Sequence, residues 1–253
     1  MREAGPRPAA VTLTGQGNGQ GEDVLMPDAA SRPAKRGRPR RGPDPERFHE
    51  ILDAAARIFL EKGYSATSIQ DIADAVGILK GSLYHYVRSK EDFLHIIIKT
   101  VYDQALADIA AVVALDVEPL EKLAAFVRAH VVFAADHLTA YSIQIRELNQ
   151  LGDERRDEIR AGGDAYLDAL QGILEEGQAQ GVVDKQLDAR LAGIIIMGQL
   201  NALTRWYSPS GRLPAAELGD VYAGMIVTSV ASDGAADGEG GPEGLRRRFL
   251  RSS

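Results

Sequence analysis

An all-α fold is what this sequence predicts: a small N-terminal helix-turn-helix unit followed by a larger C-terminal helical body. Three observations carry the prediction. Apolar residues recur at three- and four-residue spacing wherever they cluster, and no stretch alternates with period two over a useful length. Two short helical patterns flank a tight turn at Gly77, directly behind a longer amphipathic one. Charge is also divided along the chain. The 253 residues carry a net −7, yet residues 32–99 hold 13 Lys and Arg against 9 Asp and Glu, a net of +4. The remainder holds 16 against 27, a net of −11, so a basic module is joined to an acidic one.

Residues 1–43 are rich in Gly and Pro and lack periodicity, which predicts a disordered arm. That arm ends in the basic run from Lys35 to Arg41. The first helix has its signals in order. Asp44 can cap it, Pro45 suits its first position, and Glu46 lies near the positive end of its dipole. Phe48, Ile51, Leu52, Ala55, Ile58 and Phe59 then form one apolar stripe, and Gly63 stops the helix. The second helix starts at Thr67 or Ser68, because Thr67 with Gln70 or Ser68 with Asp71 would make a capping box. Its inward residues are Ile69, Ile72 and Ala73. A third helix must follow Gly77 almost at once, near Lys80, carrying Leu83 and Tyr86 inward. A fourth begins at Ser89, with Asp92 able to close another capping box, and runs through Phe93, Ile97 and Val101.

Residues 44–88 are therefore expected to form the helix-turn-helix domain and 89–232 the body. Body helices are expected at about 119–135, 139–151, 153–180, 188–207 and 215–232. The helix from Asp188 is apolar on almost every side, through Leu191, Ile194, Ile195, Ile196, Met197 and Leu200. Such a helix must be covered all round. With the apolar last helix it predicts packing against both its own core and a second copy, hence a homodimer. A glycine-rich tail with Arg246, Arg247 and Arg248, residues 233–253, is expected to be disordered.

Composition excludes several classes. No cysteine is present, so disulfides and thiolate chemistry are out and a reducing, cytoplasmic setting is expected. No stretch has the length or apolarity of a signal peptide or membrane span. The five histidines show no metal-ligand spacing, and nucleophile-elbow, phosphate-loop and dinucleotide motifs are missing. An enzyme is not expected, and no catalytic residue, metal or cofactor is assigned.

A helix-turn-helix places its second helix in the major groove and its first across the backbone, so the expected partner is double-stranded operator DNA. Lys80, Gly81 and Ser82 would then meet base edges: Lys and Ser as donors, Gly by allowing close approach. Tyr84 and His85 lie further along the exposed side and can donate to phosphates, as can Thr67 and Ser68 at a helix start. Lys90 is expected to do the same at the fourth helix. Arg38, Arg40 and Arg41, in an extended arm, suit a minor groove.

The run from Gly63 to Ala73, followed by GILKGSLYHYVRSKEDF from Gly77 to Phe93, resembles the DNA-binding domain of the TetR family of repressors over about residues 47–94. That resemblance implies three DNA-reading helices and about six more in a dimerising, ligand-sensing body, with repression as the default. Two positions depart from the family pattern. Leu79 stands where the family usually places the Ser or Thr that caps the recognition helix, a loss of roughly 1 kcal/mol. Val87 stands where an aromatic usually closes the motif. Further on, Thr204 to Pro209 with Gly211 and Leu213 resembles the acyl-CoA-responsive branch. The implied small-molecule effector is an acyl-CoA or a small hydrophobic drug. Polar residues among apolar neighbours, Gln144, Arg146, Asn149, Asn201 and Trp206, are the expected ligand contacts. A ligand-independent architectural DNA protein is the alternative, and an internal cavity within residues 100–230 discriminates the two.

Overall fold

The computed structural model describes residues 44–233. The basic arm with Arg38, Arg40 and Arg41, and the tail beyond Asp233, lie outside them. Among the described residues the regular structure is helical, apart from one isolated bridge between Val183 and Ala231. The helices are α1 (Pro45–Lys62), α2 (Ile69–Ala75), α3 (Lys80–Leu83), α4 (Lys90–Val113), α5 (Pro119–Asp136), α6 (Leu138–Glu147), α7 (Asp153–Gln180), α8 (Ala189–Asn201) and α9 (Ala215–Val230). Short 3₁₀ turns prolong α6 through Leu148–Gln150 and α8 through Ala202–Arg205, where one continuous helix is expected from sequence.

The predicted caps form. Asp44 accepts from the Glu46 N–H at the head of α1, and Ser89 makes a two-way capping box with Asp92 at the head of α4. Of the two alternatives for α2, the box is Ser68 with Asp71. These short-range bonds satisfy backbone donors that a helix start leaves unpaired.

Two apolar cores result. The N-terminal one gathers Ile51, Ala55 and Phe59 of α1, Ile72 of α2, Leu83 of α3 and Phe93, Leu94 and Ile98 of α4. It is completed by Ile143, Leu151 and Ile159, which belong to the body segments 138–159. The second core is built around α5, whose Leu123, Phe126, Val127 and Val131 are fully enclosed by α4, α7, α8 and α9. Each such side chain contributes roughly 1.5–3 kcal/mol of transfer free energy. Helix α4 serves both cores, with Phe93 to Ile98 in the first and Val101 and Ile109 in the second.

Helix α8 is covered on one side only. Gly193, Ile196 and Leu200 face the core, while Leu191, Ile194 and Ile195 are 54%, 50% and 54% exposed. Met225 on α9 adds to this uncovered surface at 67%. A single copy therefore does not supply the second cover that the sequence pattern calls for.

Candidate DNA-reading edge and effector cavity

The turn between α2 and α3 is built by Gly77, which adopts φ +67°, a left-handed conformation that strains any residue with a Cβ. Its geometry lets the Ile78 N–H reach back to the Ala73 carbonyl at 3.0 Å and close α2. Leu79 then turns the chain outward. Its carbonyl accepts from the Ser82 N–H at 2.8 Å to start α3, but its side chain makes no cap and is 79% exposed. Helix α3 spans only four residues before a tighter turn in which Tyr86 and Val87 both donate to the Leu83 carbonyl. Leu83 is fully buried, and Val87, in the place of the expected aromatic, is buried as well. Tyr86 is only half-buried, its ring stacked on Phe48 at 5.5 Å.

With Leu83 anchored inward, Lys80, Gly81, Tyr84 and His85 are exposed and Ser82 is half-buried. A Cβ added to Gly81 would meet open space. Ser68 is exposed at the start of α2. Its box partner Asp71 has a carboxyl held well below the usual range, first by the bonds from Ser68 and then by Lys62.

Two of the expected contacts are turned inward. Thr67 is buried, and its hydroxyl donates inward to the Gly63 carbonyl at 2.9 Å, so it is neither the cap nor turned towards a phosphate. Lys90 is also turned inward. Its ammonium donates to the carbonyls of Tyr64 at 2.7 Å, Thr67 at 2.8 Å and Ser65 at 3.4 Å, and stands 4.2 Å from the Tyr64 ring centre. Through the two short bonds Lys90 braces the loop between α1 and α2 from the head of α4.

Behind this unit, the heads of α4 and α7 are clasped together. Arg155 donates to Asp92 at 2.5 Å and lies 3.6 Å from Glu91, whose carboxylate also accepts from the Gly152 N–H at 3.0 Å. Burial pushes the Asp92 carboxyl up, but bonds from Arg155 and from the Arg88 and Ser89 N–H groups outweigh it and hold the group ionised below its usual range. One and two turns further along, His95 meets Glu158 at 3.0 Å and Lys99 meets it at 3.4 Å.

Further down α4, Tyr102 borders a cavity of about 70 Å³ inside the body. Across it runs a chain of polar groups from four helices. Tyr166 lies 2.8 Å from His130 Nδ1, His130 Nε2 lies 3.1 Å from the Tyr141 hydroxyl, and Tyr141 donates to Asn201 Oδ1. The directions follow from the ends. Because the Asn201 oxygen only accepts, Tyr141 gives its proton there and accepts from His130 Nε2–H, leaving Nδ1 to accept from Tyr166. Full burial pulls the His130 pKa down to about 4, so the ring is neutral. Burial raises the phenols too, Tyr102 to about 12.

Of the expected ligand contacts, Gln144 and Asn201 line this cavity. Arg146 and Asn149 do not: both are exposed, and the Asn149 side-chain oxygen faces Arg160 at 3.5 Å. Trp206, 56% exposed, borders a separate open depression with Tyr207, Arg212 and Leu213. Sequence reasoning missed His130, Tyr102, Tyr141 and Tyr166. The available signal was chemical: a phenol or imidazole set into an apolar helix stripe must find a hydrogen-bond partner.

A helix-turn-helix with its second helix uncovered, carried on a helical body with a polar-lined cavity, defines a DNA-binding regulator of transcription. Comparison with known proteins narrows the class. Residues 51–97 match the family described as bacterial regulatory proteins, tetR family, and residues 116–230 match the tetracyclin repressor-like C-terminal domain. The transcriptional repressor KstR2 of Mycolicibacterium smegmatis is 30% identical over 210 residues, covering 81% of this chain and 96% of that one. The fatty acid metabolism regulator protein of Bacillus subtilis is 30% identical over 186 residues, 73% and 95% of the two chains. Among solved structures, the ketosteroid regulator KstR2 of Mycobacterium tuberculosis superposes with a TM-score of 0.71 at 29% identity, covering 76% and 98%. AibR in complex with isovaleryl coenzyme A and operator DNA gives 0.64 at 28%, covering 71% and 97%. The chain belongs to the TetR family of transcriptional regulators, and it is a DNA-binding regulator rather than an enzyme. No described helix is long and apolar enough to cross a membrane.

Proposed function

We propose that this protein is a homodimeric repressor that leaves its operator when an acyl-CoA, or another small hydrophobic effector, enters the body cavity. The observation that carries the reading is that Tyr102, on the cavity wall, and the clasp to α7, beneath the reading edge, belong to one helix, α4. A ligand acts only through a difference in affinity between two states, and here one element joins the site of binding to the site of readout.

In this reading residues 44–88 bind DNA and 89–232 sense and dimerise. Lys80, Gly81 and Ser82 approach base edges, while Ser68, Tyr84 and His85 hold phosphates. Arg38, Arg40 and Arg41 of the arm, outside the described residues, follow the minor groove. The uncovered α8–α9 surface pairs two copies, which sets two recognition helices for two half-sites.

The polar chain runs across this cavity of about 70 Å³, so an effector that enters must part it. A thioester carbonyl is an acceptor without a donor. It can replace Asn201 Oδ1 as the end of the chain and accept the hydrogen bond that Tyr141 donates. Trp206, beside Arg212, offers a coenzyme A nucleotide an aromatic face and a cation outside the cavity. Relatives support the choice of effector class, through the fatty acid metabolism regulator and the isovaleryl coenzyme A complex. The cavity argues against an architectural DNA protein, which needs none.

The test is a thermal-shift screen of acyl-CoA thioesters against free acids and hydrophobic drugs, followed by operator release. Thioesters should raise the melting temperature and release DNA, and Tyr141→Phe should weaken that response. If only drug-like molecules stabilise and release the protein, the acyl-CoA reading fails.

A further inference from the structure

Leu79 is the most exposed large apolar side chain among the described residues, at 79%, above Met225 at 67%. It stands at the first position of the reading edge, its carbonyl starting α3 and its side chain capping nothing. Ile78 before it is half-buried, and Lys80 and Gly81 after it are exposed, with open space around Gly81. A Ser or Thr here would cap α3, so leucine gives up a cap and exposes an isobutyl group to water. Among the described residues neither loss is compensated: no side chain caps α3, and Leu79 stays 79% exposed. An apolar group at the head of a recognition helix has one apolar counterpart in the major groove of B-DNA, the C5-methyl of thymine.

We infer that Leu79 is a specificity-determining residue that reads a thymine methyl in each operator half-site, next to the base contacted by Lys80. The inference rests on the DNA-binding role of α3 proposed above and adds a base preference to it. Lys80 and Ser82 are polar donors suited to guanine or to either base edge, whereas Leu79 selects an A·T pair in one orientation.

The operator itself emerges from the first step of the experiment. The full-length protein and its Leu79→Ala and Leu79→Thr variants select sites from a randomised duplex library. The best wild-type site is then resynthesised with deoxyuridine for single thymines, which removes the methyl and nothing else. At one position per half-site, wild type should lose about fourfold in affinity, and about fifteenfold when both half-sites are changed, as expected for one methyl removed from contact each time. Both variants, left with at most one methyl at this site, should prefer thymine there less than wild type does, and should lose less than wild type when deoxyuridine replaces it. Leu79→Thr, which restores a cap, should match wild type or exceed it in melting temperature, so lost preference cannot be put down to misfolding. If no deoxyuridine substitution weakens wild type, or if Leu79→Ala keeps the same discrimination, the inference is wrong while sequence-specific binding itself stands. If wild type selects no sequence at all, the DNA-binding reading falls, and this inference with it.

Discussion

Lys90→Met separates a phosphate contact from an internal brace, because the two roles move different observables. Methionine keeps the stem but removes the ammonium that donates to the Tyr64 and Thr67 carbonyls at 2.7 and 2.8 Å and stands over the Tyr64 ring. Net gains of about 1 kcal/mol for each short bond and about 0.5–1 kcal/mol for the ring contact give a loss of about 2–3 kcal/mol. The bond to Ser65 at 3.4 Å is too long to add much. For a chain of this size 1 kcal/mol moves the midpoint by about 2–4 °C, so the melting temperature should fall by about 5–10 °C. Operator affinity measured between 50 and 200 mM salt should keep the wild-type slope, since no phosphate contact is lost. A variant that melts with wild type while its salt slope drops by about 0.9 per lysine would show that Lys90 holds a phosphate, and would refute the brace.

Three further outcomes follow from the geometry. His130, neutral with a folded pKa near 4 against about 6.5 unfolded, makes the unfolded chain take up a proton first as pH falls. Stability should be full above pH 6.5 and decline by about 3 kcal/mol towards pH 4, and His130→Gln should flatten that part of the curve; parallel curves would exclude a buried neutral ring. Gly81→Ala should fold as well as wild type or better, by up to about 1 kcal/mol, because the added Cβ meets nothing, yet bind operator more weakly by blocking close approach. An unchanged affinity would remove Gly81 from the reading edge. Ile195→Asp, at a half-exposed site on α8, should leave helical content intact but yield monomers by sedimentation and weaken operator binding at least tenfold; a stable dimer would place the interface elsewhere.

Where the sequence spoke clearly, the signal was short-ranged. Asp44 with Pro45, Ser68 with Asp71 and Ser89 with Asp92 act within one helical turn, and each stands at the head of the helix it predicts. Gly77 marked its turn for the same reason. The reading failed where partners lie far apart in the chain. Lys90 at a helix start reads as a phosphate contact until its carbonyl partners, 23 to 26 residues upstream, are in view. His130 pairs with Tyr166, 36 residues away, and Tyr141 with Asn201, 60 away, so no local pattern marks the polar chain. Arg146 and Asn149 show the converse: both are exposed and neither lines the cavity. A polar side chain near apolar ones in sequence faces solvent as readily as a cavity, and the helix face decides which.

Helix α4 runs unbroken from its cap beneath the reading edge to its contact with the cavity, and that continuity has a mechanical meaning. Twelve residues separate Lys90 from Tyr102, a span of about 18 Å at 1.5 Å per residue. A rigid rod of that length, tilted by about 5° at the cavity end, swings its head by about 1.6 Å, within the range of helix shifts that switch oligomers. No proline or glycine lies within α4 to act as a joint. In the proposed function such a helix would act as a lever whose gain is set by its length, passing a small tilt at the effector on as a larger shift at the head. A glycine introduced midway along it, at the exposed Thr100, would soften the lever and should weaken the coupling of effector binding to DNA release while leaving each intact.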